Sequence, residues 1–406
     1  HGAVQMLRRN LGEGYNPLFF LSSLGAGGLA VSFFLYPMFL VDHHGVPLVT
    51  FEHIWPILMG PVSVGSVLLG VTLLLVLFFA VLHFRLLAWN LREYRRFRRT
   101  RAFETLRNDN DEIGLMAIPL TLAMTINILF VLGALLVPGL WSVVEWLFPL
   151  ALAGFAAVGV YALKILTTYF ARTLTHGNVD FSANNSLSPM IAIFALAMIA
   201  VGFAAPAMMS QTLVTMMTGM LLSLFFFTSA ALLAVIKLVH GFQAMMIKGI
   251  RESASPSLWI LIPILTLMGI TWVRLSYGMH HTLGQPMDHT DILVFGAGII
   301  SAQILFGLIG YAVMQRLGYF RDYVRGPKGD AGTFTLICPG VAFFVFGLFF
   351  IHLGLIASGV VEQGSWVHYT LMAPFVLVQA KTVQVMLHLK RHVMQAPPAA
   401  AAAAAR

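Results

Sequence analysis

A chain of 406 residues with 59% hydrophobic side chains, 10% charged ones and a mean hydropathy of +0.85 is too apolar for a water-soluble domain, where about a quarter of residues are charged. The formal net charge of +8 would suit a nucleic-acid binder, but the basic residues lie between apolar runs, so the expected partner is the lipid bilayer and no nucleic acid. A single cysteine excludes an internal disulfide and any cysteine-based metal cluster.

A spanning helix needs about 20 apolar residues, and hydropathy supports ten of them. Span 1 (17–41) opens with "YNPLFF" and carries "LGAGGLAVS", where Gly25, Gly27 and Gly28 allow close helix approach or a narrow lumen. It is too long, and too soon followed by others, to be a cleaved signal. The connection after it reads "DHHGVPLVTFEH", with His43, His44 and His53 beside Asp42 and Glu52. Span 2 (56–90) runs into the basic "NLREYRRFRRTRAFETLR". Span 3 (113–138) contains "MAIPLTLAM", and span 4 (141–171) ends at Arg172. Span 5 (188–208) contains "SLSPMIAIF", and span 6 (211–239) is followed by Lys248 and Arg251. Span 7 (256–279) contains "WILIPILTL" and leads to "MHHTLGQPMDHTD", with His280, His281 and His289 beside Asp288 and Asp291. Span 8 (292–318) precedes "YFRDYVRGPKG". Span 9 (332–360) contains "LICPGVAFF", and span 10 (367–390) precedes the low-complexity "APPAAAAAAAR".

Lys and Arg crowd the even-to-odd connections and both ends of the chain, whereas Arg274 is the one basic residue near the other side. By the positive-inside rule both termini are cytoplasmic, which predicts a multi-pass protein of a plasma or bacterial inner membrane. The division expected is a cytoplasmic N-terminal segment (1–14), an all-α ten-helix domain (15–392) and a disordered tail (393–406).

Each odd span carries a proline near its cytoplasmic start: Pro17, Pro119, Pro189, Pro263 and Pro339. A proline removes an intrahelical hydrogen bond, and irregular backbone at membrane depth survives only inside protein or along a watery cavity. One proline alone means a packed kink; five on alternate spans predict five helical hairpins around a central pore. The middle portions of the odd spans hold no Asp, Glu, Lys or Arg. Without a buried ionisable relay the pattern favours a passive channel or facilitator over an ion-coupled pump.

In their order and spacing, "NPLFFLSSLGAGGLA", "MAIPLTLAMT", "LSPMIAIFA", "ILIPILTLM" and "GDAGTFTLICPGVAFFVFGLFFIHLG" resemble the tellurite-resistance/dicarboxylate transporter family, over roughly 15–390. That family includes TehA-type channels and plant slow-type anion channels. The resemblance implies a homotrimer whose protomers each conduct a small anion: chloride or nitrate, sulfite or a chalcogen oxyanion, or a dicarboxylate. It also implies an aromatic gate on the ninth span, at or beside Ile337, Cys338 and Pro339, with Gly340 next in line. No aromatic stands there, and Phe343 and Phe344 are the nearest downstream. A cysteine at this depth is similar to the cysteine form of a TehA-related selenoprotein branch, TsoY.

Other chemistry stays open on the sequence. Cys338 is either a thiol activated near a helix start or a small buried hydrophobe. The outer histidines, with their carboxylates, could hold a divalent metal such as Zn, Cu or Ni, sense pH, or be ordinary loop residues. His83, His240, His352, His388 and His392 could ligate haem only if paired on facing helices. A membrane redox protein using Cys338 or histidine-held haem, and an accessory subunit of a membrane complex, are therefore the rivals to the anion channel.

Overall fold

The computed structural model describes residues 7–176 and 186–395. The expectations for 1–6, and for the tail from 396 onward, lie outside the described residues. Among the described residues ten helices are long and apolar enough to cross a membrane, and no strand occurs. They are α1 (Pro17–Leu40), α2 (Val64–Phe97), α3 (Asn110–Leu136), α4 (Leu140–Thr175), α5 (Ser188–Met209), α6 (Leu213–Lys248), α7 (Glu252–Leu283), α8 (His289–Leu317), α9 (Ala331–Ile356) and α10 (Trp366–Met394).

The second helix starts later than hydropathy indicates. Residues from 51 onward first form a separate short helix, Phe51–Met59, which stops at Gly60 and Pro61. Ser63 then caps α2, its hydroxyl accepting from the Ser66 amide at 3.1 Å. At its far end α2 continues as a basic amphipathic stem through Arg95 and Arg96.

The five prolines do not kink the odd helices at mid-depth. Pro17 and Pro189 lie in short 3₁₀ turns that precede the α-helices beginning at Phe20 and Ile191. Pro119, Pro263 and Pro339 are each the third residue of an α-helix entered from a 3₁₀ segment. The first turn of a helix has no intrahelical partner for its N–H groups, so a proline there forfeits little. What recurs is a tight entry followed by a proline-marked helix start.

Burial alternates along the chain. The apolar windows of α1, α3, α5, α7 and α9 are 83, 56, 94, 72 and 72% buried, against 33, 33, 22, 28 and 28% for the even helices. The odd helices pack in a closed ring, α1 on α3, α3 on α5, α5 on α7, α7 on α9 and α9 on α1, and each even helix packs on the odd helix before it. Small residues make the inner contacts close, as they do between helices in lipid. A Cβ at Gly278 of α7 would overlap the Ala207 carbonyl oxygen of α5, and one at Gly202 of α5 would overlap the Phe155 ring of α4.

Carboxylates tie down the connections at both ends of the bundle. On the face where the described chain ends meet, called basal here, the Arg8 amide donates to the Met394 carbonyl at 2.8 Å. There too the Trp89 indole donates to the Arg8 carbonyl at 2.6 Å, and buried Glu93 accepts from the Leu11 amide at 2.9 Å. Buried Glu112 pairs with Arg172 at 3.1 Å. Asp322 accepts from Arg321 and from Lys328, which hold its carboxyl at about 2, and Lys328 also reaches Glu252 at 3.1 Å. A carboxyl depressed in the folded state contributes above its unfolded value of about 3.9, so this latch lasts until pH falls toward 2. On the opposite, distal face Glu145 accepts from the Ser210 hydroxyl at 2.8 Å and the Gln211 amide at 2.7 Å. Glu52 accepts from the Thr50 hydroxyl and the Gly139 amide, and these two donors hold its carboxyl below the usual range.

Close helix contact makes a paired prediction. Gly278→Ala should destabilise the protein by about 1–3 kcal/mol through overpacking. Gly298→Ala, on α8 with open space where the methyl would go, should be neutral or gain up to ~1 kcal/mol of helix propensity. Thermal unfolding in detergent distinguishes the two, and equal effects would contradict the ring packing.

Candidate functional site

The ring encloses a cavity of about 620 Å³. Its wall runs from the distal connections at His43, Pro47, Leu48 and Gln363 to Gly25, Phe194, Pro263 and Cys338 at the basal end. Beyond lies a void of about 10 Å³, walled in part by Leu21, Ile260 and Pro339, with room for about one water. Phe194, Pro263 and Cys338 line both spaces, so these three residues of α5, α7 and α9 separate the two. Phe194 is buried in that position.

The aromatic at the pinch thus comes from α5. Phe343 packs on Phe375 of α10 with ring centroids 4.8 Å apart, Phe344 packs on Tyr36 at 5.4 Å, and neither lines the cavity. The sequence hides this because Phe194 and Phe344 both follow their helix's proline by five residues. Pro189 precedes the α-helical start at Ile191, whereas Pro339 stands two residues inside the start at Ile337. Equal offsets therefore land about a turn apart.

The other expected pore residues divide by the direction they face. Gly25 and Gly28 line the cavity, and they also admit α9: an added Cβ would lie 2.8 Å from Ile337 and 3.0 Å from Val341. Gly27 faces away, toward Ile128, His83 and Met124, and Gly340 faces Thr382 of α10. Ile337 is buried against Gly25. Pro119 and Pro189 line neither space. Cys338 is buried among apolar neighbours, and no hydrogen bond from its side chain to another residue occurs among the described residues.

One charged side chain lines the cavity among the described residues, and it is Arg274. Span 7 read as ending at 279 puts Arg274 five residues from the outer end, near that side of the membrane. The helix instead continues to Leu283, which puts Arg274 nine residues inside it, about 14 Å at 1.5 Å per residue. Its Nη1 donates to the Val201 carbonyl of α5 at 2.8 Å. No carboxylate among the described residues lies within 4 Å of the guanidinium. Asn127 of α3, also nine residues before its helix ends at Leu136, lines the same wall. An ionisable side chain within a membrane-spanning helix and facing a cavity makes that cavity the candidate site.

A second polar feature stands near the distal mouth. His352 lines the cavity on a π-helical turn, Phe350–Ile356, a geometry common at functional sites. Its Nδ1 is 2.8 Å from the Leu348 carbonyl, and its Nε2 is 3.2 Å from His368 Nε2. A carbonyl only accepts, so His352 carries its proton on Nδ1. The Gly364 amide donates to His368 Nδ1 at 3.1 Å, so His368 carries its proton on Nε2 and donates it to His352. Phe39 stacks on the His352 ring at 4.5 Å. Two nitrogens this close leave no room for a metal between them, which removes the pair as haem ligands.

The outer histidines do not converge on a metal site, and no group of three or more metal-ligating side chains occurs among the described residues. His43 is 6.0 Å from His53 ring to ring, but its Nδ1 is 2.8 Å from the Val41 carbonyl, and His53 caps the helix begun at Thr50. His44 is exposed beside Asp42. His280 faces the Gln285 carbonyl and His281 faces Gln211, while His289 lies beside Tyr277. His43, His53 and His280 thus serve their own local turns. His388 and His392 face the Val324 and Gly326 carbonyls.

The chain matches no family model, no curated protein and no solved structure.

The histidine pair yields a coupling test. His368→Phe should cost about 1–3 kcal/mol, because it leaves the His352 acceptor buried without a donor. Adding His352→Phe should recover part of that loss. A double-mutant cycle on unfolding midpoints checks it, and strictly additive losses would contradict the pairing.

Proposed function

We propose that the protein is a passive channel or facilitator for small anions. Substrate enters the cavity from the distal side and passes the pinch formed by Phe194, Pro263 and Cys338. The observation that carries this reading is Arg274, an unpaired guanidinium on the wall of a cavity that contains no other formally charged side chain among the described residues. A fixed cation in an apolar chamber attracts anions and repels cations more strongly than the same charge would in water. The five odd helices act as the pore wall, and each forms a hairpin with the even helix that follows it. The basal face, rich in Lys and Arg, is assigned to the cytoplasm. The resemblance to TehA-type channels agrees with this architecture and implies a homotrimer.

In this reading Phe194 is the gate. Flux of chloride and nitrate into liposomes should rise in Phe194→Ala by about tenfold for each ~1.4 kcal/mol of barrier removed, and Arg274→Gln should lower anion over cation selectivity. Liposomes that stay impermeable to chloride, nitrate, sulfite and malate, even with Phe194→Ala, would sink the proposal. Orientation has its own check in a Cys338→Ala background. An impermeant maleimide should label Thr100→Cys only in inverted vesicles and Gly45→Cys only in right-side-out ones; the reverse pattern would overturn the assignment.

A further inference from the structure

We infer that the cavity is a binding site for a singly charged organic anion, a carboxylate with an apolar body, whose head group pairs with Arg274. This rests on the reading of the cavity as an anion passage and narrows its substrate class. Three observations carry it, namely the size of the chamber, the chemistry of its wall and the count of its charges.

At about 620 Å³ the space falls in the range of pockets that hold drug-sized organic molecules, roughly 300–1,000 Å³. A bare halide or nitrate would occupy a small part of it and leave the rest to many waters. The wall offers those waters little. It is built from Phe34, Phe130, Phe155, Met198, Leu267 and similar side chains, and several of its polar groups are already engaged. The Thr266 hydroxyl donates to the Ala342 carbonyl at 2.9 Å and accepts from Gln303 at 2.7 Å. Both ring nitrogens of His352 are paired. Poorly held water is displaced favourably by an apolar group, so an apolar body fits the chamber better than a hydrated inorganic ion.

The charge count limits the other end of the ligand. Arg274 is a planar fork with five N–H donors, and a carboxylate accepts two of them side by side. The bond from Nη1 to the Val201 carbonyl at 2.8 Å fixes the fork on α5 and leaves the remaining donors for the ligand. No second Arg and no Lys lines the cavity among the described residues. A dicarboxylate would therefore leave one charge unpaired against apolar wall, which is costly. Asn127, at the same count from the distal end of its helix, adds a neutral amide to the wall.

The test uses the whole protein in nanodiscs of zwitterionic lipid, with empty nanodiscs as the partition control. The probes are radiolabelled 4-phenylbutyrate, the neutral 4-phenylbutanamide, the cationic 4-phenylbutylamine, and succinate. Saturable binding of phenylbutyrate is expected, at least about tenfold tighter than either the amide or succinate, a factor equal to ~1.4 kcal/mol, with no binding of the amine. Arg274→Gln should bring phenylbutyrate down to the level of the amide, and Arg274→Lys should fall between. Equal binding of acid and amide, or tighter binding of succinate, would overturn the inference. If Arg274→Gln does not fold, the ligand series on the unaltered protein still decides. Chloride or nitrate flux without phenylbutyrate binding would refute this site and leave the channel standing. Phenylbutyrate binding without flux of any anion would refute the channel and leave the site.

Discussion

The contact between Gly278 of α7 and the Ala207 carbonyl of α5 typifies the constraint on which the bundle depends: backbones must nearly touch. Lipid is as apolar as the side chains, so helices in a membrane gain little from hiding leucines and must gain from fit. A ring of five helices fits only if each presents small residues toward two neighbours. Hence α5, the most buried helix, intersperses seven alanines and Gly202 among its larger apolar residues. The even helices, free of that demand on their outer sides, carry exposed Phe, Leu and Val such as Phe225, Leu232 and Val235. Close approach also sets the scale of the cavity, since Gly25 and Gly28 fix how near α1 and α9 come on one side of it.

Charge is distributed by the same logic of satisfaction. Glu93, Glu112, Glu145 and Glu52 sit at the faces and accept from backbone amides or basic side chains. Arg274 departs from this pattern by giving one bond to a carbonyl and no pair to an acid. That departure lies on the wall of the cavity and not at a face.

Much of this architecture is legible in the sequence, and the failures have physical reasons. Length and hydropathy find all ten helices of the described residues, because a bilayer imposes a minimum apolar run on each. The alternate placement of Pro17, Pro119, Pro189, Pro263 and Pro339 correctly separates odd from even helices, although the prolines mark helix starts and not deep kinks. The facing of single residues is not legible. Nothing in "LGAGGLAVS" tells that Gly25 and Gly28 face the cavity while Gly27 faces His83, because an all-apolar helix has no polar side to orient it. The pinch is missed for a related reason, since an offset from proline measures position along the helix only when the entry turns match. The histidines mislead in the opposite way: His43, His44 and His53 are close in sequence, but local capping holds them apart from any common point. The pair that does meet, His352 and His368, is sixteen residues apart across the turn between α9 and α10.

The two ends of the described chain meet on the basal face. Leu7 pairs with Gln395 across an antiparallel bridge, and Arg8 bonds to Met394 beside it. The break between α10 and α1 is therefore closed by backbone hydrogen bonds at the same face as the covalent connections between the other helix pairs. The order of the helices thus closes on itself at the basal face, where hydrogen bonds between residues 7–8 and 394–395 complete the circle that covalent connections make elsewhere.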